Sequence, residues 1–498
     1  MGEGESGNAD GPGIWTGSYL PVTLANLTIV AIAAFDGLAL VAALPSIAED
    51  LGRVAFLPWV ITAYLATSAV AVIMAGPVID AVGVRRTFRV TGLWFLISSA
   101  AAAVAPNMLL LIVARVAQGL GGGLVIAVAL AAVGLAYPHH LRPRAFAANS
   151  IVWGTMGFGG PALAGALLAV GSWRLIFVVQ LPLTALALAI GWRSLPSTRD
   201  RPARIRTDWP GVGLLTSLTL FSLLAVGQVG VRWWAVGAAA AMTGLSAVAY
   251  WRHSGRVAEP VMSREHLIRF PLRWIHLTSG LVLVAGLAVD NYLPLYVQTT
   301  RGRSVEFAAF SLVFLTVGWT IGSVVFSRLL SQRPEAEVVT MGAALIVPAS
   351  ALAGLAVAFD WPLTTVFVGF ALVGFSIGLV STAGLTLLQS SAAEAEMGRV
   401  NAAHQFVRTL CLTYGVALGG AILLLVVDLR VGDIEAVRDV LGGEDIAVGP
   451  ATNDAIGEGL AWVFVLSVAV SVACLVVALV LLRRTRADVG GEEKRVAA

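Results

Sequence analysis

Asn26-Leu-Thr-Ile-Val-Ala-Ile-Ala-Ala-Phe-Asp36-Gly-Leu-Ala-Leu-Val-Ala-Ala43-Leu44-Pro45 is a long apolar run that carries a single charge. Crossing a hydrocarbon core of about 30 Å takes roughly 20 apolar residues, so this run is long enough to span a bilayer. A carboxylate at such depth costs on the order of 2.5–3.5 kcal/mol on insertion scales, and it faces a cavity or a partner rather than lipid. Asp36 is therefore the first candidate functional residue. Working outward, the same pattern recurs at about 24–45, 57–78, 88–105, 108–136, 146–169, 173–192, 209–229, 232–251, 273–298, 305–328, 337–359, 362–388, 402–427 and 459–482. The expected fold class is an all-α polytopic membrane protein with about fourteen transmembrane helices.

Composition agrees. Of the 498 residues 58% are hydrophobic and 12% charged, and the mean hydropathy is +0.86, where a soluble domain carries about 25% charged residues. A formal net charge of +3 implies no nucleic-acid partner. Lysine occurs once, as Lys494 followed by Arg495, so the Gly-Lys-Ser/Thr of a phosphate-cradling loop is missing and transport driven by the chain's own ATP hydrolysis is excluded. Cys411 and Cys474 lie inside apolar runs, where a thiol reads as a small packing residue and no disulfide framework is indicated. His276 and His404 are isolated near helix ends, and no metal site is expected. Residues 1–20 hold Glu3, Glu5 and Asp10 without a basic residue, which is not the flank of a cleavable signal, so the first run is expected to remain as a span.

Arginines collect in alternate connections: Arg85, Arg86 and Arg89; Arg142 and Arg144; Arg193 to Arg206; Arg252, Arg256 and Arg264; Arg328 and Arg333; Arg399; and the tail from Arg483. The other connections are short or acidic, the longest being 428–458. The positive-inside rule then puts both termini in the cytoplasm. The expected organisation is a cytoplasmic tail (1–20), a six-helix half (21–193), linkers with two inserted helices (194–272), a second six-helix half (273–482) with 428–458 as an outer loop, and a cytoplasmic tail (483–498). Two such halves around a midplane site are the plan of an alternating-access transporter.

Further motifs carry chemistry. Gly76-Pro-Val-Ile-Asp80-Ala-Val-Gly83-Val-Arg85-Arg86 follows the second span. Its glycines allow close helix approach, and Asp80 can pair with arginines or cap a neighbouring helix, so the group is expected to latch one conformation. Arg115, with Gln118 and Gly119, lies about two turns inside the fourth span, where it needs a counter-charge or carbonyls unless it snorkels. Gly157, Gly160, Pro161 and Gly165 lie in the fifth span, where Gly-Pro weakens the hydrogen-bond ladder; this is the candidate hinge. Asp290, just before Asn291 and Tyr292, is a second intramembrane acid in the outer half of its span. Trp153, Trp319, Phe310, Phe314, Phe375 and Tyr414 either line an apolar cavity or pack between helices.

Taken in order, these motifs resemble the fourteen-helix drug:proton antiporter group of the major facilitator superfamily. The resemblance runs through Asp36 to Ala43-Leu44-Pro45, Trp59 to Tyr64, Gly76 to Arg86, Arg115 with Gln118 and Gly119, Gly160-Pro161 with Gly165, Trp173-Arg174 with Phe177 and Pro182, Tyr292 to Gln298, and Arg408. The chain departs from the group's pattern at Leu38, Val41, Ala81, Ala164 and Gln180. The resemblance implies proton coupling through Arg115, no cofactor beyond a proton gradient, a monomer in a bacterial inner membrane, and export of small hydrophobic or cationic drug-like substrates. A carboxyl group in a low dielectric can hold a proton or pair with a cation, but not comfortably both. That exclusion at Asp36 and Asp290 is the simplest antiport mechanism. A dedicated exporter of an endogenous metabolite, antibiotic or lipid fits the same fold, and a non-transporting sensor fits it less well because the cytoplasmic linkers are short. A channel is disfavoured, since no pore-loop pattern appears.

Overall fold

The computed structural model describes residues 13–51, 57–197, 208–227, 233–329, 332–431 and 449–496. Most of the first tail, Arg199 to Arg206 and the bulk of the acidic 428–458 segment lie outside these residues. So do the side chains of Leu38, Val41, Leu44, Pro45, Trp59 and Pro161.

Among the described residues seventeen α-helices follow one another, with no strand. In the first half are α1 (Tyr19–Leu51), α2 (Leu57–Val82), α3 (Val84–Ala103), α4 (Met108–Ala136), α5 (Arg142–Val170) and α6 (Arg174–Ser194). A pair follows, α7 (Trp209–Gly227) and α8 (Trp233–Ser254), and then the short α9 (Arg264–Ile268). The second half holds α10 (Leu272–Asp290), α11 (Leu293–Thr299), α12 (Val305–Phe310), α13 (Leu312–Leu329), α14 (Glu335–Ala358), α15 (Leu363–Ser390), α16 (Met397–Val431) and α17 (Pro450–Val496). Among the described residues eleven segments are long and apolar enough to cross a membrane. Of the fourteen spans expected, those at α3, α5 and α8 fall outside that set, α3 because it opens on Arg85, Arg86 and Arg89.

Boundaries differ from expectation for physical reasons. The ninth span is broken at Asn291–Tyr292, because Pro294 has no N–H to give the Asp290 carbonyl; the chain restarts there as α11 with the proline in its first turn. The tenth is interrupted at Ser311, whose hydroxyl donates back to the Ala308 carbonyl at 2.6 Å. Helix α17 begins inside the segment expected to be a loop and continues through most of the expected tail, so 450–458 is helical rather than looped.

Within the first half α1 packs on α5 and α6, α2 on α4, and α3 on α4 and α6; within the second, α15 lies between α13 and α14, and α10 between α16 and α17. The halves meet where α2 crosses α16 and α5 crosses α13. The α7–α8 pair sits on the first of these seams, with Val212, Leu215 and Tyr250 in one apolar cluster with Ile73, Ala403 and Phe406. Asp208 starts the pair by accepting from the Gly211 N–H at 2.9 Å and from His253 at 2.6 Å.

Candidate functional site

Asp36 is 1% exposed, and so is Arg115. They are brought together from helices 79 residues apart in sequence: Arg115 Nη1 donates to both Asp36 carboxylate oxygens, at 2.9 and 3.0 Å. Snorkelling of Arg115 is thereby ruled out. Its Nε donates to the Val60 carbonyl at 3.0 Å, Nη1 also donates to Gln118 Oε1 at 2.7 Å, and the guanidinium lies 4.2 Å from the Tyr64 ring centroid. Gln180 on α6 donates to Asp36 Oδ1 at 3.0 Å. Gln118 Nε2 faces three acceptors with two hydrogens. Ser99 Oγ at 2.9 Å and Gln180 Oε1 at 3.0 Å are nearer than Asp36 at 3.3 Å, so those two bonds dominate. Five helices thus converge on one closed polar node inside an apolar half.

Tyr64, Ser99 and Gln180 were missed as node members by sequence reasoning. Gln180 carried a signal, being an uncharged polar side chain in an otherwise apolar run, as did Ser99. Gly119 belongs to the node as packing: a Cβ there would stand 3.0 Å from Tyr64 Cα, so only glycine lets α4 approach α2 this closely.

Asp290 is not part of this node. It ends α10 in the other half, and its buried Oδ1 has no partner. Arg301, eleven residues further on, donates to the Asp360 and Trp361 carbonyls.

The expected latch is partly assembled. Asp80 Oδ1 accepts from the Gly398 N–H at 3.0 Å and Oδ2 from the Arg399 N–H at 3.3 Å, with Arg399 Nε 3.4 Å away. Asp80 therefore caps the first turn of α16 in the opposite half, where negative charge is favoured. Gly83 takes φ 87°, a turn only glycine makes without strain, and so sets the angle between α2 and α3. Arg85 Nε donates to the Leu195 carbonyl at 2.6 Å, stapling α3 to the end of α6, and Arg86 is exposed. Asp80→Asn is expected to weaken this crossing by about 1–2 kcal/mol, because charge-assisted bonds are roughly twice as strong as neutral ones. Faster maleimide labelling of a cysteine placed at buried Ile73 would report it.

The candidate hinge is a continuous helix. Within α5, Gly157 faces Thr316 of α13, Gly160 is buried, and Gly165 is exposed with open space around it. About two turns before Gly157, Thr320 of α13 donates to the Ser150 carbonyl at 3.1 Å. Gln389 of α15 donates to the Leu130 carbonyl of α4 at 3.2 Å, a third tie between the halves. These ties and Asp80 lie toward the arginine-rich end. Of the aromatics, Phe310 meets Phe314 edge-on at 5.6 Å, Phe314 stacks on Phe367 at 4.5 Å, and Trp153 and Phe310 are exposed.

His276 and His404 are not isolated. Their Nδ1 atoms are 3.0 Å apart, and His276 Nε2 donates to the His266 carbonyl at 2.9 Å. A carbonyl only accepts, so the neutral His276 ring has a bare Nδ1, which takes the proton of His404 Nδ1. No group of three or more metal-ligating side chains occurs among the described residues.

Residues 27–416 match the family described as Major Facilitator Superfamily. The chain belongs to that superfamily. It is a membrane transporter rather than an enzyme. This transporter is 28% identical over 438 residues to a probable multidrug-efflux transporter of Mycobacterium tuberculosis, covering 84% of the chain and 90% of that relative. It is 25% identical to the multidrug transporter protein MdtP of Bacillus subtilis, over 78% of the chain and 72% of the relative. A solved bacterial homologue of the iron transporter ferroportin shares its fold, with TM-score 0.63 at 12% identity over 93% of the transporter and 99% of that structure.

Proposed function

We propose that this transporter is a proton-coupled exporter that exchanges protons for hydrophobic, drug-like compounds by alternating access, using the proton gradient and no cofactor. It works as a monomer in a bacterial inner membrane with both termini cytoplasmic. The observation that carries the reading is the buried Asp36–Arg115 pair with its glutamine shell. A proton arriving on Asp36 removes the counter-charge of Arg115. Uncoupling one partner of such a buried pair costs about 3–5 kcal/mol. One proton moving through 100 mV releases about 2.3 kcal/mol, and a pH unit adds about 1.4 kcal/mol. The two scales match, so one proton can switch the node, and its energy corresponds to a substrate gradient of several hundredfold. The two relatives named for multidrug efflux support this cargo class. Because Arg115 already occupies Asp36, the acid is no free docking point for a cation; hydrophobicity rather than positive charge defines the cargo. Asp290 is the second proton-binding candidate.

Everted membrane vesicles with an established pH gradient test the reading. Lipophilic cations and neutral compounds should discharge the gradient through wild type and not through Asp36→Asn. Equal responses of both proteins to every compound would end the case for broad exchange and favour one dedicated endogenous cargo.

A further inference from the structure

Arg408 is a guanidinium in the wrong place for an anchor. It lies eleven residues into α16, about 16 Å from the helix start at 1.5 Å per residue, on a helix with no exposed residue from Met397 to Val427. Its Nε is buried without a hydrogen-bond partner, and no acid pairs with it among the described residues. An uncompensated cation at that depth is costly and marks a ligand or ion pathway.

The surroundings supply no anion. One turn before Arg408, His404 is 1% exposed; the ionisable groups acting on it are His276 and Arg408 itself. In the tautomer set by the His266 carbonyl, His404 Nε2 is also left without a partner. The pairing of His276 with His404 and the approach of Gly280 to Val407 and Cys411 put Ser279 of α10 level with Arg408. The Ser279 hydroxyl is again buried and unpartnered, and it abuts Gly384 of α15. Asp290 does not offset the charge, because Gly419 lies against Ala288. That register puts Asp290 about twelve residues beyond Arg408, roughly 18 Å along the helix. Where α10, α15 and α16 converge there is thus a positive charge and an idle hydroxyl, and among the described residues no anion meets them; the one idle acceptor named here, His404 Nε2, is neutral.

We propose that Arg408 is the anchor of a binding site for the anionic group of an amphipathic organic anion, a carboxylate or sulfonate on an apolar ring system. The guanidinium donates to the anionic oxygens in its planar fork, Ser279 adds a hydroxyl donor, and the apolar body lies among the surrounding helices. This deepens the export reading by naming a cargo class, and it rests on that reading only in taking the space between the halves as the cargo route.

The test uses the full chain in lipid nanodiscs, at equilibrium and without a proton gradient. Two fluorescent probes share one ring skeleton: 8-anilinonaphthalene-1-sulfonate carries the anion, and N-phenyl-1-naphthylamine lacks it. Arg408→Met is expected to weaken the sulfonate probe about 30-fold and the uncharged probe less than about 2-fold, with Arg408→Lys recovering most of the loss. Leu412→Glu keeps Arg408 and places a carboxylate one turn on, where an i,i+4 pair forms. It should depress sulfonate binding as Arg408→Met does, and it decides the matter if Arg408→Met does not fold. Equal losses for both probes, or sulfonate binding indifferent to both variants, would overturn the assignment. A failure of proton exchange at Asp36 leaves these binding constants untouched, so the two readings fail separately.

Discussion

Arg115→Ala is expected to destabilise the transporter by about 3–5 kcal/mol and to abolish export, because it strips a buried carboxylate of its counter-charge. The Asp36 oxygens would keep the amide donors of Gln180 and Gln118 and the Tyr64 hydroxyl, and the Val60 carbonyl would lose its donor. Removing both charges as Asp36→Asn with Arg115→Gln should cost much less than the two single changes added together. Contacting partners in a polar network typically couple by about 0.5–3 kcal/mol, and this fully buried pair should fall at the upper end. Unfolding midpoints for the four members of this cycle measure the coupling. Additive costs would mean that the pair is spectator packing. Arg115→Lys keeps the charge but cannot reach the carboxylate, Gln118 and the Val60 carbonyl with one ammonium; it should recover part of the stability and little of the transport.

Gly76→Val should open the arginine-rich end. A Cβ on Gly76 would stand 2.7 Å from the Arg399 Cα and 3.1 Å from the Ala402 Cβ, so it meets the body of α16 rather than a mobile side-chain tip. Overpacking of this kind costs about 1–3 kcal/mol, and helices α2 and α16 belong to opposite halves, so separating them relieves it. The population closed at this end should fall about 5- to 150-fold relative to the open one. With Cys411 and Cys474 replaced by serine, a cysteine at Ile73, which is 2% exposed, should react correspondingly faster with a water-soluble maleimide, and export should drop with it. Unchanged labelling together with unchanged export would show that this crossing does not control access. Asp80→Asn acts on the same crossing through charge rather than volume, so its smaller effect should point in the same direction.

The chain by itself determined what depends on runs and composition. Apolar length specifies helices that cross a membrane, arginine alternation specifies which connections share a side, and the cost of charge in hydrocarbon singles out Asp36, Arg115 and Asp290. Gly83 was legible for the same reason, since a turn between two helices at a fixed angle asks for a residue free to take positive φ. Which of these charges meet was decided by tertiary structure. Asp36 and Arg115 pair because α1 and α4 are rotated toward each other at one register, and Gln180 joins them because α6 closes the same face. The rotation of α3 sends Arg85 to the end of α6, and the register of α10 against α16 joins two histidines that look solitary in sequence. The same register leaves Arg408 and Asp290 too far apart to neutralise each other. Hydropathy is a sum along the chain and survives any packing, whereas a hydrogen bond depends on the rotation and offset of two helices to within a fraction of a turn, which no single segment encodes.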